Sequence, residues 1–279
     1  LGDAAVDVIV EPEVDLRADD DVPAAIGLTP GGQAANVAAW CASFGAPTGV
    51  IAATGDDLPG DVVRQGLAIR GVEVLGPRLA GRTPVVVSIV GAAGQRTMVS
   101  DRGVSAQLAE DHINPDWFVD VEWLHLSGYA LFGPTGPAAA LAAAGLARAA
   151  GAAVSIDLSA ATLLSALGPA ATRDLIATTA ARLVFANEAE AEVVGPLEVA
   201  TTVVKRGAAG CRVITAGGVT DEQAAPAAVV RDTTGAGDAF AAGWLVGGMD
   251  LALDAARACV GLPGSMPPLR PGGEPARRG

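Results

Sequence analysis

From Val121 onward the chain alternates short β-branched runs with alanine-rich stretches of helical spacing, and this alternation restricts the fold more than any other feature. Joining neighbouring parallel strands takes a right-handed crossover of about a dozen residues or more, which lays helices over both faces of a mostly parallel sheet. The class is therefore α/β. Strands are expected near 122–127, 152–157, 183–186, 201–204 and 211–215, with helices between most of them. One join is cramped. Only Gly195-Pro196-Leu197-Glu198-Val199-Ala200 separates Val194 from Thr201, too little for a helical crossover.

The N-terminal part follows the same rhythm, with a strand at 5–10, a helix at 33–44 stopped by Gly45 and Pro47, and a strand at 48–53. Residues 58–70 have helical spacing, with Leu58, Val62, Leu67 and Ile69 as core contacts and Gly71 as the stop. Two segments depart from it. Residues 84–90, the Gly91-Ala92-Ala93-Gly94 turn and residues 95–100 read as an antiparallel hairpin that stands off the main sheet. Residues 11–30 are acidic and irregular around Asp19-Asp20-Asp21, and form either a small lid with that hairpin or a solvated loop. The expected division is a core of residues 1–10, 31–81 and 102–266, a β lid of 11–30 and 82–101, and a disordered tail at 267–279, where Pro, Gly and Arg dominate.

Charge excludes some partners. Asp and Glu number 31 against 18 Lys and Arg, a net charge of −13 that repels nucleic acid and anionic membranes. An anionic cosubstrate such as a nucleotide must then be held by local amides, metal and a few cations. The mean hydropathy of +0.41 comes mostly from alanine. Gly, Asp, Arg or Pro interrupts every apolar run before the ~20 residues a membrane span needs. Residues 1–10 have no basic region ahead of an apolar stretch and read as a buried strand, not a signal peptide. Cys41, Cys211 and Cys259 form no C-x-x-C pair, so buried free thiols in a reducing cytoplasm are expected.

The segment with the most chemistry is Asp232-Thr233-Thr234-Gly235-Ala236-Gly237-Asp238, read as a turn between an apolar strand at 227–230 and a helix running to Met249. Small residues at 235–237 let backbone N–H groups converge at a helix N-terminus, a natural seat for phosphate. Asp238 at its edge is placed to take a proton from an attacking hydroxyl, or else merely complements the helix dipole. Upstream, Gly31-Gly32-Gln33-Ala34-Ala35-Asn36 opens a helix with an amide one turn in, suited to sugar hydroxyls or simply exposed. Asn187 and Glu190 share a helix face and direct oxygens at a hydrated Mg²⁺, or form a capping box. Lys205-Arg206-Gly207-Ala208-Ala209-Gly210 is a turn that either lies along a nucleotide or closes a hairpin. Asp7 falls near the carboxyl end of the first strand, where open sheets form crevices. His112 and His125 are isolated, and His125 reads as structural or pocket-lining.

Three of these elements, Gly31-Gly32-x-x-x-Asn36, Asn187-x-x-Glu190 and Asp232-Thr233-x-Gly235-Ala236-Gly237-Asp238, resemble the signatures of the ribokinase-like (PfkB) carbohydrate kinases, in the same order. The similarity runs from about Leu1 to Ala258. It implies a ribokinase-like three-layer α/β/α core with a small β-sheet lid over a sugar site. By position it implies that Asp238 is the catalytic base and that the amides of Gly235, Ala236 and Gly237 hold the transferring phosphate. Asn187 and Glu190 would organise Mg²⁺ beside the nucleotide, Glu190 through water, and the turn carrying Lys205, Gly207 and Gly210, read above from its small residues, would lie along the same nucleotide. Asp7, Gly32 and Asn36 would contact the sugar, and Asp232 and Thr234 a monovalent cation such as K⁺. Arg96 resembles a lid residue reaching over the substrate, though an exposed strand arginine reads the same way. Gln33 stands where ribokinases proper often have lysine, which separates this chain from a ribose-specific assignment.

The expected activity is ATP-dependent phosphorylation of a hydroxymethyl group on a sugar or sugar acid. Two alternatives stay open. A nucleoside kinase of the same fold needs an apolar slot for the base, which 4% aromatics disfavours. A catalytically silent sugar- or nucleotide-binding protein is motivated by the short 195–200 segment and by Pro263-Gly264-Ser265, a compressed C-terminal loop. Lid edges could also pair between subunits to give a homodimer.

Overall fold

The computed structural model describes residues 1–91, 96–133 and 136–269. In the N-terminal part lie β1 (Ala5–Pro12), β2 (Ala24–Gly31), α1 (Gln33–Ser43), β3 (Thr48–Val50), β4 (Thr54–Gly55), α2 (Leu58–Ala68), β5 (Val72–Val74) and β6 (Arg78–Leu79). A hairpin of β7 (Val85–Val90) and β8 (Arg96–Asp101) follows. The alternating part comprises β9 (Trp123–Ser127), α3 (Gly128–Phe132), α4 (Ala138–Ala149), β10 (Ala153–Asp157), α5 (Ala161–Leu167), α6 (Pro169–Thr179), β11 (Leu183–Asn187), α7 (Glu188–Val194) and β12 (Thr201–Lys205). The chain closes with β13 (Cys211–Thr215), β14 (Gly218–Gln223) and α8 (Ala236–Val260).

The large sheet has the order β14-β13-β12-β11-β10-β9, with β9 to β12 parallel and β13 and β14 antiparallel. Residues 1–4 extend it: Ser127 N–H donates to the Leu1 carbonyl at 2.9 Å and Gly2 N–H to the Ile51 carbonyl at 3.1 Å, which carries the sheet toward β3 and β5. The middle strands are apolar on both sides, as a sheet covered on both faces requires. Along β11, Val184 and Ala186 pack into the layer of α4 to α7, while Leu183 and Phe185 pack against α1 and α8. In α4 a buried stripe of Ala139, Ala140, Ala143, Ala144 and Ala147 brings the helix close to the sheet. Phe185 is fully buried and meets Phe240 and Trp244 edge-on at 6.3 and 6.2 Å. Burying such a ring contributes about 1.5–3 kcal/mol and anchors the first turns of α8.

The small sheet has the order β2-β1-β7-β8. The hairpin and the strand within 11–30 therefore come together, but β1 joins them. Residues 5–10, expected in the core, pair along their length with β2 and β7, so only residues 1–4 of that segment reach the large sheet. The hairpin tip, residues 92–95, lies outside the described residues, as do residues 270–279 of the expected tail.

Three further expectations are corrected. Residues 227–230 form no strand: Val229 and Val230 are exposed, and just beyond them the Arg231 and Asp232 N–H groups both donate to the Val260 carbonyl. β-propensity needs a neighbouring strand, and among the described residues none pairs with this segment. In α2 the buried positions are Gly60, Val63 and Leu67, while Leu58, Val62 and Ile69 face outward. The cramped 195–200 join needs no helix of its own, because α7 is itself the crossover between the parallel strands β11 and β12. The helix expected to run to Met249 stops just short of it. Gly248 leaves helical geometry (φ 78°, ψ −161°) and divides α8 into arms at 236–247 and 249–260.

Candidate active site

The functional side chains gather at the carboxyl ends of β9 to β12, where Ser127, Asp157, Asn187 and Lys205 are the last strand residues. Facing them is the start of α8. Asp232 is buried, and its two carboxylate oxygens accept from Thr234 N–H and Gly264 N–H, both at 2.7 Å, which ties the loop before α8 to the C-terminal segment. Gly235 then turns the chain with φ 76°, and a Cβ there would stand 2.5 Å from the Ser265 Cβ. Only glycine fits. No side chain caps α8, and among the described residues the N–H groups of Gly237 and Asp238 have no acceptor. The result is an open helix N-terminus with amides available to an anion.

Asp238 does not turn back on its own helix. Its Oδ2 accepts from Asn36 Nδ2 at 2.7 Å, and the Asn36 Oδ1 accepts from Ser265 Oγ at 2.9 Å. Burial pushes the Asp238 carboxyl up to about 7, with Asp157 adding to the rise and Asn36, Lys205 and Gln33 opposing it. A carboxyl with that affinity is half-ionised near neutrality, the range in which proton transfer is most effective.

Around it, Lys205 Nζ and Asp157 Oδ2 form a mostly buried ion pair at 2.5 Å. Burial works against the lysine charge, yet Asp157 more than offsets it and the Lys205 pKa is raised. The ammonium sits over the open turn of α8, since a Cβ on Gly237 would lie 3.1 Å from Nζ. Glu190 is buried, and burial together with Asp157 raises its pKa. Its Oε2 and Oε1 accept from Asn187 N–H and Nδ2, each at 2.8 Å, and Asn187 Oδ1 accepts from Glu190 N–H at 2.9 Å. The capping-box reading of Asn187 and Glu190 is thus the observed local geometry.

The glycine pair before α1 accommodates the chain itself. The place of a Gly31 Cβ is filled by the Asp7 carboxylate, and a Gly32 Cβ would lie 2.6 Å from the Asp3 carbonyl oxygen. Asp7 consequently projects from the small sheet into the site rather than from the end of a core strand. Burial lifts its pKa to about 6 against an opposing hydrogen bond with Ser265. Gln33 Oε1 accepts from the hydroxyls of Ser127 and Ser159.

The fold therefore brings together Asp7, Asn36, Glu190, Lys205 and the 235–238 turn. Gly207 and Gly210 lie in the turn of the β12–β13 hairpin, and a Cβ at Gly210 would meet the Gln223 carbonyl oxygen at 1.8 Å, a packing reason for that glycine. The backbone of Arg96 pairs with Val90 in the small sheet, and its side chain is outside the described residues. The three cysteines are free and buried, as expected. His125 is held neutral by burial, with its pKa pushed down to about 3 and Nδ1 at 2.9 Å from Ser155 Oγ. Sequence reasoning missed Asp157 and Ser159. Asp157 ends an apolar strand run as Asn187 does, so the same signal was present there.

A doubly covered α/β sheet, a small sheet over its strand ends and an acid beside an open helix N-terminus define a phosphotransferase of the ribokinase-like fold. Residues 1–259 match the model of the pfkB family carbohydrate kinases, and the chain belongs to that family. It is 33% identical over 249 residues to the ATP-dependent ribose-1-phosphate kinase of Halopiger xanaduensis, covering 83% of this chain and 79% of the relative. It is 32% identical over 264 residues to a fructokinase of Klebsiella pneumoniae, covering 88% and 82%. A candidate ribokinase II of Escherichia coli, solved in complex with ATP and Mg²⁺, superposes with a TM-score of 0.81 at 22% identity, covering 95% of this chain and 92% of that one.

Proposed function

We propose that this kinase uses Asp238 to activate a hydroxymethyl group of a sugar or sugar acid for attack on the terminal phosphate of ATP. The observation that carries the reading is the Asp238 carboxylate itself, partly buried at the open N-terminus of α8 and held from α1 by Asn36. The acceptor hydroxyl gives its proton to Asp238, its oxygen bonds to the phosphorus, and the bond to the ADP oxygen breaks. The open N–H groups of Gly237 and Asp238 and the Lys205 ammonium oppose charge on the transferring group, supported by the absence of a cap on α8, whereas the Ala236 N–H, expected to join them, already donates to the Thr233 carbonyl at 3.3 Å. We assign the sugar to Asp7, Gly32 and Asn36, and to Arg96 of the lid hairpin. Asn187, Gly207 and Gly210 border the nucleotide.

The residues present fit Mg²⁺ that arrives with ATP. Three carboxylates, Asp157, Glu190 and Asp238, stand around the single ammonium of Lys205. Among the described residues no group of three or more His, Cys, Asp or Glu forms a direct metal cage. Glu190, with both oxygens engaged by Asn187, reaches the ion through water. When bound, Mg²⁺ neutralises phosphate charge. Asp232 and Thr234 lie in the loop proposed to hold K⁺. Exposed Ile26, Leu28, Met98 and Val99 on the edge strands of the small sheet support a homodimer through the lid. Free cysteines support a cytoplasmic setting.

The test is ADP release from MgATP across pentoses, hexoses, sugar acids and nucleosides, in K⁺ and in Na⁺, for the native protein and Asp238→Asn. Turnover on a sugar that falls by about 10²–10⁴ in the variant, with binding retained, is expected. A variant of native activity removes Asp238 from the base role, and turnover confined to nucleosides overturns the substrate class.

A further inference from the structure

We propose that Gln33 is a positioning residue for the base: pinned by the hydroxyls of Ser127 and Ser159, its amide N–H₂ faces Asp238 and holds that carboxylate toward the acceptor. The inference rests on the reading of Asp238 as the base and adds the device that orients it.

A carboxamide has one accepting end and one donating end. The Gln33 Oε1 is claimed by Ser127 Oγ and by Ser159 Oγ, the latter at 2.5 Å. The serines are themselves fixed, since Ser127 Oγ accepts from Tyr129 N–H at 3.3 Å and Ser159 Oγ from Gly128 N–H at 2.9 Å. Ser159 Oγ also lies 3.0 Å from the Asp157 carbonyl, the only other acceptor for its proton among the described residues. With the oxygen end occupied, the nitrogen end is left for Asp238, one turn along α1 from the Asn36 amide that donates to the same carboxylate, and Gln33 helps hold the Asp238 pKa down. A flipped amide would set its oxygen against the carboxylate. Asn36 repeats the arrangement on the next turn of α1: its oxygen is held by Ser265 and its nitrogen donates to Asp238. Two pinned amides thus stand one turn apart on α1, and the second is bonded to the carboxylate.

Ser159 supplies an independent sign. Its φ is 73°, the left-handed region that costs a non-glycine residue about 1–2 kcal/mol. Glycine would relieve that strain, so serine retained there points to use of the hydroxyl. Neutral Gln33 also leaves Asp238 without a second adjacent cation. The charged and titratable groups around Asp238 are Asp157 on β10, Lys205 on β12, Glu190 on α7, Tyr129 on α3 and Cys259 on α8, with Asp7 on β1, linked to it through Ser265 and Asn36, and Asp232 in the loop before α8. Tyr129 and Cys259 stay neutral, because burial raises both pKa values.

The experiment takes Gln33→Leu, Ser159→Gly and their combination, with the acceptor sugar that supports ADP release, and measures kcat/KM against pH. The apparent pKa of the base in Gln33→Leu should rise by about half to one pH unit, one hydrogen bond's worth. Ser159→Gly should melt no lower than the native protein, yet lose about tenfold in kcat. In the Gln33→Leu background it should cost little more. Independently of any substrate, the Tm difference between the native protein and Asp238→Asn, followed against pH and repeated in the Gln33→Leu background, reports the same shift. Unchanged pH profiles, or losses that multiply in the double variant, overturn the positioning role. Asp238→Asn runs in parallel. If it stays active the base reading fails, and if it is inactive while the profiles do not move, only the Gln33 inference fails.

Discussion

The N-termini of α7 and α8 meet at the same site and are finished in opposite ways. At α7, Asn187 and Glu190 satisfy each other's backbone N–H groups and the end is closed. At α8, Gly235 makes the turn without a side chain, the acid of the first turn reaches away to α1, and the amides remain open. Both ends carry the same partial positive charge. The difference is capping: one end keeps amides free for an anion, and the other has spent its amides on its own capping side chains.

Filling the open end should have the largest effect. Gly235→Ala sets a Cβ 2.5 Å from the Ser265 Cβ and imposes a side chain on a φ of 76°, so the turn must shift. We expect kcat to fall by about 10²–10³, the cost of misplacing an oxyanion donor, alongside a stability loss of about 1–2 kcal/mol. Steady-state kinetics with thermal melting separates the two effects. Native kcat in a folded variant would mean that the α8 amides take no part in transfer.

What the sequence made legible follows the range of each signal. The closed end of α7 and the strands at 183–187 and 201–205 depend on local pattern, and both could be read directly. The buried face of α2 could not. Gly60 and Gly66 let that helix approach its neighbours, with a Gly60 Cβ placed 2.3 Å from the Gly55 carbonyl oxygen and a Gly66 Cβ 2.8 Å from Pro30, while counting apolar residues favoured Leu58 and Ile69. Residues 227–230 have strand composition without a strand partner. At the site, Asp238 and its glycines were readable because they are contiguous. Asp157, Ser159 and Gln33 were not, because only the topology joins positions from α1, β10 and α8. The Gly31-Gly32 pair was legible as a close approach, but the approaching groups are Asp7 and Asp3 of the chain itself.

The open end also places a stability cost on the base. The Asp238 pKa is raised from 3.8 to about 7, so between these values the folded protein holds a proton that the unfolded chain releases. The contribution is complete below about pH 4 and is lost as pH rises through 7. Asp238→Asn, which has no such proton to lose, should therefore melt several degrees above the native protein at pH 8, with the gap narrowing toward pH 5. Asp7, raised to about 6, adds a slope of the same sign to both proteins. A gap that widens on acidification would contradict the burial of Asp238.

Opening the closed end should have the smallest effect on stability and the most informative effect on kinetics. Asn187→Ala removes the α7 cap and should cost about 1 kcal/mol. Because Asn187 also holds both oxygens of Glu190, the variant frees a buried carboxylate, and an altered KM for MgATP could arise from either change. Glu190→Gln separates them. The glutamine oxygen still accepts from Asn187 N–H, so the melt should move less than in Asn187→Ala. The carboxylate charge is gone, however, and apparent Mg²⁺ affinity should weaken by about tenfold, the scale for a group acting on a metal through its water shell. An unchanged Mg²⁺ dependence in Glu190→Gln would make the carboxylate a cap and nothing more, and α7 would then differ from α8 in having no share in the chemistry.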